Sequence, residues 1–217
     1  MLNVLRYAGI LGIICVITGF GIGLSYQLMK DKIEQKELEV TFLALEEVLP
    51  ENVRRPWIIL GGVEPGHPDA VYVGINDRGE TIGYAAVGEH QGYSSKVRVM
   101  VGVEPYLDDP EKVKIKAVRV VSQQETPGLG TRVEEEKSSK SIWDVITFSR
   151  QPGTTTRPFL DKFPGKTYEK LEVVKTDDRS GRVVAVTAAT ISSTAVVEAA
   201  RKAIAKIREA VQKKSPH

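Results

Sequence analysis

Four hydroxyl residues, Thr187, Thr190, Ser192 and Ser193, crowd the segment VVAVTAATISSTAVVEAARKAI, between an apolar strand-like run and a long amphipathic helical pattern. A helix start presents N–H groups that have no intrahelical acceptor, together with the positive end of a dipole. A phosphate brought to this turn can therefore be held without a basic side chain, noncovalently or through one of the hydroxyls. The competing reading is purely local: Ser192 or Ser193 caps the helix and the threonines fill a turn.

A second stretch with chemical potential is Glu125-Thr126-Pro127-Gly128-Leu129-Gly130, which follows directly on a strand-like run. It combines a proline-fixed φ with glycines that tolerate left-handed backbone. Such a loop can bring bare backbone close to a flat ligand, or serve as a tight connection between elements.

Other chemistries find no support. His67, His90 and His217 are scattered and no cysteine joins them, which argues against a zinc or haem site built from this chain. There is no GxSxG elbow and no GxxxxGK[ST] loop, and Gly128-Leu129-Gly130 lacks the third glycine of a dinucleotide fingerprint. Net charge is +2, with 30 Lys and Arg interspersed among 28 Asp and Glu, so no basic footprint for nucleic acid exists.

These segments need a scaffold, and 217 residues with 41% hydrophobic content suffice for one compact domain plus an anchor. No residue from Tyr7 to Met29 is charged. At 1.5 Å per residue that run crosses a hydrocarbon core of about 30 Å, so a transmembrane helix is expected over residues 4–28. It is longer than a signal-peptide core and no clear A-x-A site follows it. Gly19 and Gly23 offer the small-residue spacing of a helix–helix contact in lipid, and Cys15 reads as a small apolar residue of the span. Arg6 precedes the span while Lys30, Lys32 and Lys36 follow it, a count that by itself places the domain in the cytoplasm.

Beyond the span, Ile33, Leu38, Phe42, Leu45, Val48 and Leu49 form a helical stripe, predicting that the helix continues, docks on the domain and ends at Pro50. The runs AVYVGI, ETIGYAAVGE, SKVRVMVGVE and VKIKAVRVVS, separated by turn residues, read as an antiparallel meander. LEVVKT, DDRSGR and VVAVTA read as a hairpin leading into a helix from Ser192 to Val211. The expected class is α+β: an N-terminal transmembrane helix, then a single domain with a twisted antiparallel sheet and packed helices. The expected divisions are residues 1–29 as anchor, 30–50 as connecting amphipathic helix and 51–217 as the domain.

The pairing of QETPGLG with the distal Thr187-Ala188-Ala189-Thr190 segment, behind an anchor and a long helix, resembles the FMN-binding domain family. Gly92-Tyr93-Ser94-Ser95 followed by VRVMVGVE is similar to that family's glycine-tyrosine turn and strand. The resemblance implies FMN attached through its phosphate to Thr190, the last residue of an S/T-G-A-T motif, with Thr187, Ala188, Ala189 and Ser192 around it. It implies that Glu125, Thr126, Pro127, Gly128, Leu129 and Gly130 approach the flavin ring. Glycine is usual in the family at position 188 and aspartate at position 184, where this chain has Ala188 and Val184. Attached FMN, FMN bound without a bond, and a structural subunit without flavin are all compatible with those departures.

The resemblance further implies a single-pass subunit of the bacterial or archaeal cytoplasmic membrane that relays electrons within an Rnf-type, ion-translocating ferredoxin:NAD⁺ oxidoreductase complex. A related possibility is the C subunit of a Na⁺-translocating NADH:quinone reductase. Implied partners are the other subunits of the complex and a flavin transferase for maturation. It places the soluble domain on the outer face, against the lysine count.

Overall fold

The structure is a computed structural model describing residues 2–50, 53, 58–60, 62–105, 113–135, 137–138, 155–176 and 180–214. The chain divides into two compact units, Met1–Val40 and Thr41–His217. Pro56, Glu136 and residues 139–154 lie outside the described residues.

The first unit is helical. Helix α1 (Leu2–Val48) starts in it and contains no proline, and it includes the one helix among the described residues that is long and apolar enough to cross a membrane. None of the apolar window is buried within the protein. Past the apolar part, the Lys30–Glu34 pair at 3.6 Å and the Lys36–Glu39 pair at 2.6 Å add modest helical support on an exposed surface.

The second unit holds a five-stranded antiparallel sheet of β1 (Ile58–Leu60), β2 (Val71–Ile75), β3 (Thr81–Gln91), β4 (Lys96–Val103) and β5 (Ile115–Ser122), paired in chain order. The meander expected from the sequence is therefore present, with β1 added at one edge. The β2–β3 turn forms because the Asn76 side-chain oxygen accepts the amides of Arg78 and Glu80, both at 2.9 Å, while Gly79 takes φ +82°.

Helix covers both faces of the sheet, which is why its strands read as nearly continuous apolar runs. On one face, Val97, Val99, Val101 and Val103 meet Ala195, Ala199, Ala203 and Ile204 of helix α2 (Thr190–Lys214). On the other, Tyr72, Ala85, Val87 and Met100 pack with Ala44, Leu45, Val48 and Leu49 at the end of α1. Burying each of the larger of these side chains contributes about 1.5–3 kcal/mol. Both helices approach through glycine: a Cβ at Gly88 would stand 1.9 Å from the Ala199 carbonyl oxygen, and one at Gly102 would stand 2.2 Å from that of Val48. Glu47 pairs with Arg119 of β5 and with Arg157, tying the end of α1 to the sheet electrostatically as well.

Four shorter strands are also found among the described residues of this unit: β6 (Lys137–Ser138), β7 (Thr155–Thr156), β8 (Val173–Val174) and β9 (Val183–Val184). The expected hairpin at the last pair is not formed, because β8 and β9 run parallel. The Val183 amide donates to Glu172 and the Ala185 amide to Val174, both at 2.9 Å, the evenly stepped pattern of a parallel ladder. Turn residues between two apolar runs announce a change of direction but not how many, and here β9 must point into the start of α2. That helix begins at Thr190, two residues earlier than the sequence pattern suggests.

Candidate functional site

Register brings the site together. Antiparallel pairing sets Gln91 opposite Lys96 and Arg98 opposite Ser122, so the β3–β4 turn, Gly92 to Ser95, lies at the same end of the sheet as the chain leaving β5. The N-terminus of α2 arrives at that end too. Three segments distant in sequence thus meet: Gly92–Ser95, Glu125–Gly130 and Thr187–Ser193.

Glu125 stands at their junction and is 4% exposed. One carboxylate oxygen accepts the amides of Ser94 at 3.0 Å and Ser95 at 3.1 Å; the other accepts the Tyr93 amide at 3.1 Å and the Ser192 hydroxyl at 2.5 Å. Burial pushes this carboxyl up, but the Ser192 hydroxyl and the three amides outweigh it and hold Glu125 below the usual carboxylate range. The neighbours make room: a Cβ at Gly92 would come within 2.6 Å of Glu125 Oε1, and one at Gly130 within 2.6 Å of Glu125 Cβ and 2.7 Å of Ser192 Oγ.

The rest of the loop is built on its own backbone. Thr126 is half-buried, its carbonyl accepting the amides of Leu129 at 3.1 Å and Thr131 at 3.3 Å. Gly128 takes φ +73° and its amide donates to Thr131 Oγ1 at 3.0 Å. Pro127, Gly128 and Leu129 are exposed, and Gly130 is buried where a 3₁₀ turn (Gly130–Val133) begins.

The hydroxyl cluster separates into two kinds. Ser192 and Ser193 are buried, at 2% and 0% exposure, and neither caps the helix: Ser192 donates to Glu125, and Ser193 Oγ accepts the Val186 amide at 3.0 Å. Thr187 and Thr190 are exposed. Thr190 occupies the first position of α2, and the first bond back across the helix start is donated by Ser193 to the Ala189 carbonyl at 2.9 Å. The amides of Thr190, Ile191 and Ser192 precede it, as orphan donors of a helix start do. Ala189 is buried, and exposed Ala188 holds φ +65°, a left-handed backbone that glycine adopts freely and alanine does not.

Two cations border this turn. Arg132 donates to the Thr187 carbonyl at 3.3 Å, and Lys162 donates to the Val184 carbonyl at 3.1 Å. No acidic residue occurs between Val183 and Thr194. Helix amides, an exposed hydroxyl and flanking cations form a donor set suited to a phosphate, so the residues present fit an FMN phosphate at Thr190 with the exposed face of the 127–129 loop nearby.

Sequence reasoning included Glu125 and Ser192 among the ligand-facing residues, whereas their side chains face one another. It did not single out Arg132 or Lys162, and it placed Gly92 in a turn without the glutamate that the turn surrounds. The juxtaposition of a buried glutamate with two glycines leaves no local periodic signal.

The profile of the FMN-binding domain family matches residues 92–205. This chain belongs to the FMN-binding domain family. The matched span opens on Gly92, the turn that Glu125 holds, and closes within α2, so it contains every segment of the site. Among curated relatives, the G subunit of the Na(+)-translocating ferredoxin:NAD(+) oxidoreductase complex of Acetobacterium woodii is 26% identical over 90% of this chain and 87% of its own. The G subunit of the ion-translocating oxidoreductase complex of Vibrio atlanticus is 27% identical, over 94% and 90%. Its counterpart of the same name from Haemophilus influenzae is 31% identical over 66% and 65%. Among solved structures, NqrC of Shewanella oneidensis aligns with a TM-score of 0.44 and 19% identity over 78% of this chain and 73% of that one.

Proposed function

We propose that this chain is a membrane-anchored electron-transfer subunit of an Rnf-type ion-translocating oxidoreductase complex, carrying FMN as a phosphoester on Thr190. The observation that carries the reading is the exposed Thr190 hydroxyl on the first turn of α2, in a chain of the FMN-binding domain family. Burial and hydrogen bonding of Ser192 and Ser193 leave Thr187 and Thr190 as the hydroxyls open to modification, and of these only Thr190 lies within the helix dipole's reach. The left-handed backbone at Ala188 also favours attachment, since the turn keeps the path that a glycine at this position would take.

Flavin bound here supplies electron transfer, and the one hydroxyl–carboxylate pair among the described residues of the site, Ser192 on Glu125, is buried away from any substrate. The subunit therefore relays electrons and has no independent catalytic activity. The full-length similarity to G subunits supports partnership with the other subunits of such a complex, with electrons exchanged between ferredoxin and NAD⁺ as the relative from Acetobacterium woodii is named. Residues 1–29 anchor the chain, 30–50 connect, and 51–217 form the flavin domain, held on the outer face of the cytoplasmic membrane and matured by a flavin transferase.

Expression with a flavin transferase, followed by denaturing gel electrophoresis, tests the reading. A fluorescent band with an intact mass raised by one FMN less water is expected, retained in Thr187→Ala and lost in Thr190→Ala. A dark wild-type band would overturn covalent attachment.

A further inference from the structure

We infer that Glu125 is a positioning residue: by gathering the Tyr93, Ser94 and Ser95 amides and the Ser192 hydroxyl on one carboxylate, it sets the orientation of the flavin ring carried on Thr190. The inference rests on the flavin reading above. Four donors at 2.5–3.1 Å occupy both oxygens, so the carboxylate is spent on protein contacts and acts on a ligand only through the segments it holds. Those segments bring the exposed apolar side chains to this end of the sheet: Tyr93 at 71% exposure, Leu129 at 47% and Ile191 at 55%. Each is next to a group bonded to Glu125 or lies in its own loop. The partners are 30–32 residues away in the turn and 67 away in α2, so the carboxylate joins elements that the chain itself does not.

Other links between the segments lie toward the surface: Gln124 N to Ser95 Oγ at 2.7 Å, Ser94 Oγ to Thr126 Oγ1 at 3.4 Å and Arg132 to the Thr187 carbonyl at 3.3 Å. None of them connects all three. Gly92 and Gly130 deny space to any side chain that would crowd the carboxylate, so its seat is built for a group of this size.

Two substitutions separate positioning from folding. Glu125→Gln keeps the shape but turns one acceptor oxygen into an NH₂ donor. The Ser192 hydroxyl can reverse its role to meet it, whereas a backbone amide cannot. Ser192→Ala removes the helix arm alone and leaves the three amides their acceptor. The full chain in detergent, matured with flavin transferase, is read by intact mass, by visible circular dichroism of the attached flavin and by amide exchange at residues 93–95.

Expected for Glu125→Gln is FMN still on Thr190, exchange at Tyr93–Ser95 about tenfold faster, and visible dichroism reduced by about half or more as the ring loses its fixed surroundings. Ser192→Ala is expected to weaken the dichroism while the amides stay protected. Faster exchange with unchanged dichroism would make Glu125 a residue of the fold only and overturn the inference. If Glu125→Gln does not fold, Ser192→Ala decides on the same dichroism. A wild-type chain without flavin would sink the flavin reading and this inference with it, whereas a flavin-bearing wild type matched by both variants sinks this inference alone.

Discussion

Replacing Ala188 by glycine should stabilise the folded domain, the reverse of what glycine usually does beside a helix. Ala188 holds φ +65°, and for an L-residue that region costs roughly 1–2 kcal/mol because Cβ crowds the following carbonyl. Glycine removes that cost but adds about 0.5–1 kcal/mol of unfolded-state entropy. The methyl group is exposed, so its loss removes little packing. The balance is about 0.5–1 kcal/mol in favour of glycine, which for a domain of 150–250 residues raises the melting temperature by about 1–4 °C.

The assay is thermal unfolding of the detergent-solubilised full chain followed by near-UV circular dichroism. Ala195→Gly is the control: Ala195 lies inside α2, is 0% exposed and is not among the positive-φ residues, so glycine there should cost about 1 kcal/mol. A188G melting at or below wild type, or both variants shifting the same way, would refute the assignment of a left-handed turn before α2.

Three further outcomes follow from the geometry. Glu125 is held below the usual carboxylate range in the folded state, so it contributes stability above its unfolded pKa of about 4.3 that is lost as pH falls through the folded value; urea midpoints between pH 7 and pH 3 should drop more steeply for wild type than for Glu125→Gln. Gly88→Ala should cost about 3 kcal/mol or more, at the top of the overpacking range, because the Cβ would meet the Ala199 carbonyl at 1.9 Å and backbone cannot swing aside; chemical denaturation checks it, and a loss under 1 kcal/mol would contradict the close approach of α2. Thr190→Ser keeps a hydroxyl on the first turn of α2 and should still yield a fluorescent band after maturation.

The sheet was legible because β2 to β5 are apolar runs bounded by Asn76–Gly79, Gly92–Ser95 and other turn residues, and alternation adds little where both faces are covered. The end of α1 was legible from Leu45, Val48 and Leu49 at helical spacing ahead of Pro50. Strand β1 went unread because three residues, Ile58 to Leu60, carry no period. The β8–β9 pair was misread because turn chemistry at 177–182 is the same whether the chain reverses once or twice. In the site, motif and register were readable but side-chain direction was not. Ser192 and Ser193 look like caps by position, and only the fold reveals that one faces a glutamate 67 residues away while the other braces Val186.

Helix backbone rests directly on the sheet at Gly88 and at Gly102, one on each face. Among the described residues, a sheet sealed in this way has no broad flat face to offer a neighbour. On the function proposed above, a redox partner would approach where strands end and loops begin, so changes of partner over evolution would be written in the loops around Tyr93, Leu129 and Ile191, while the two glycines stay fixed because no side chain fits there.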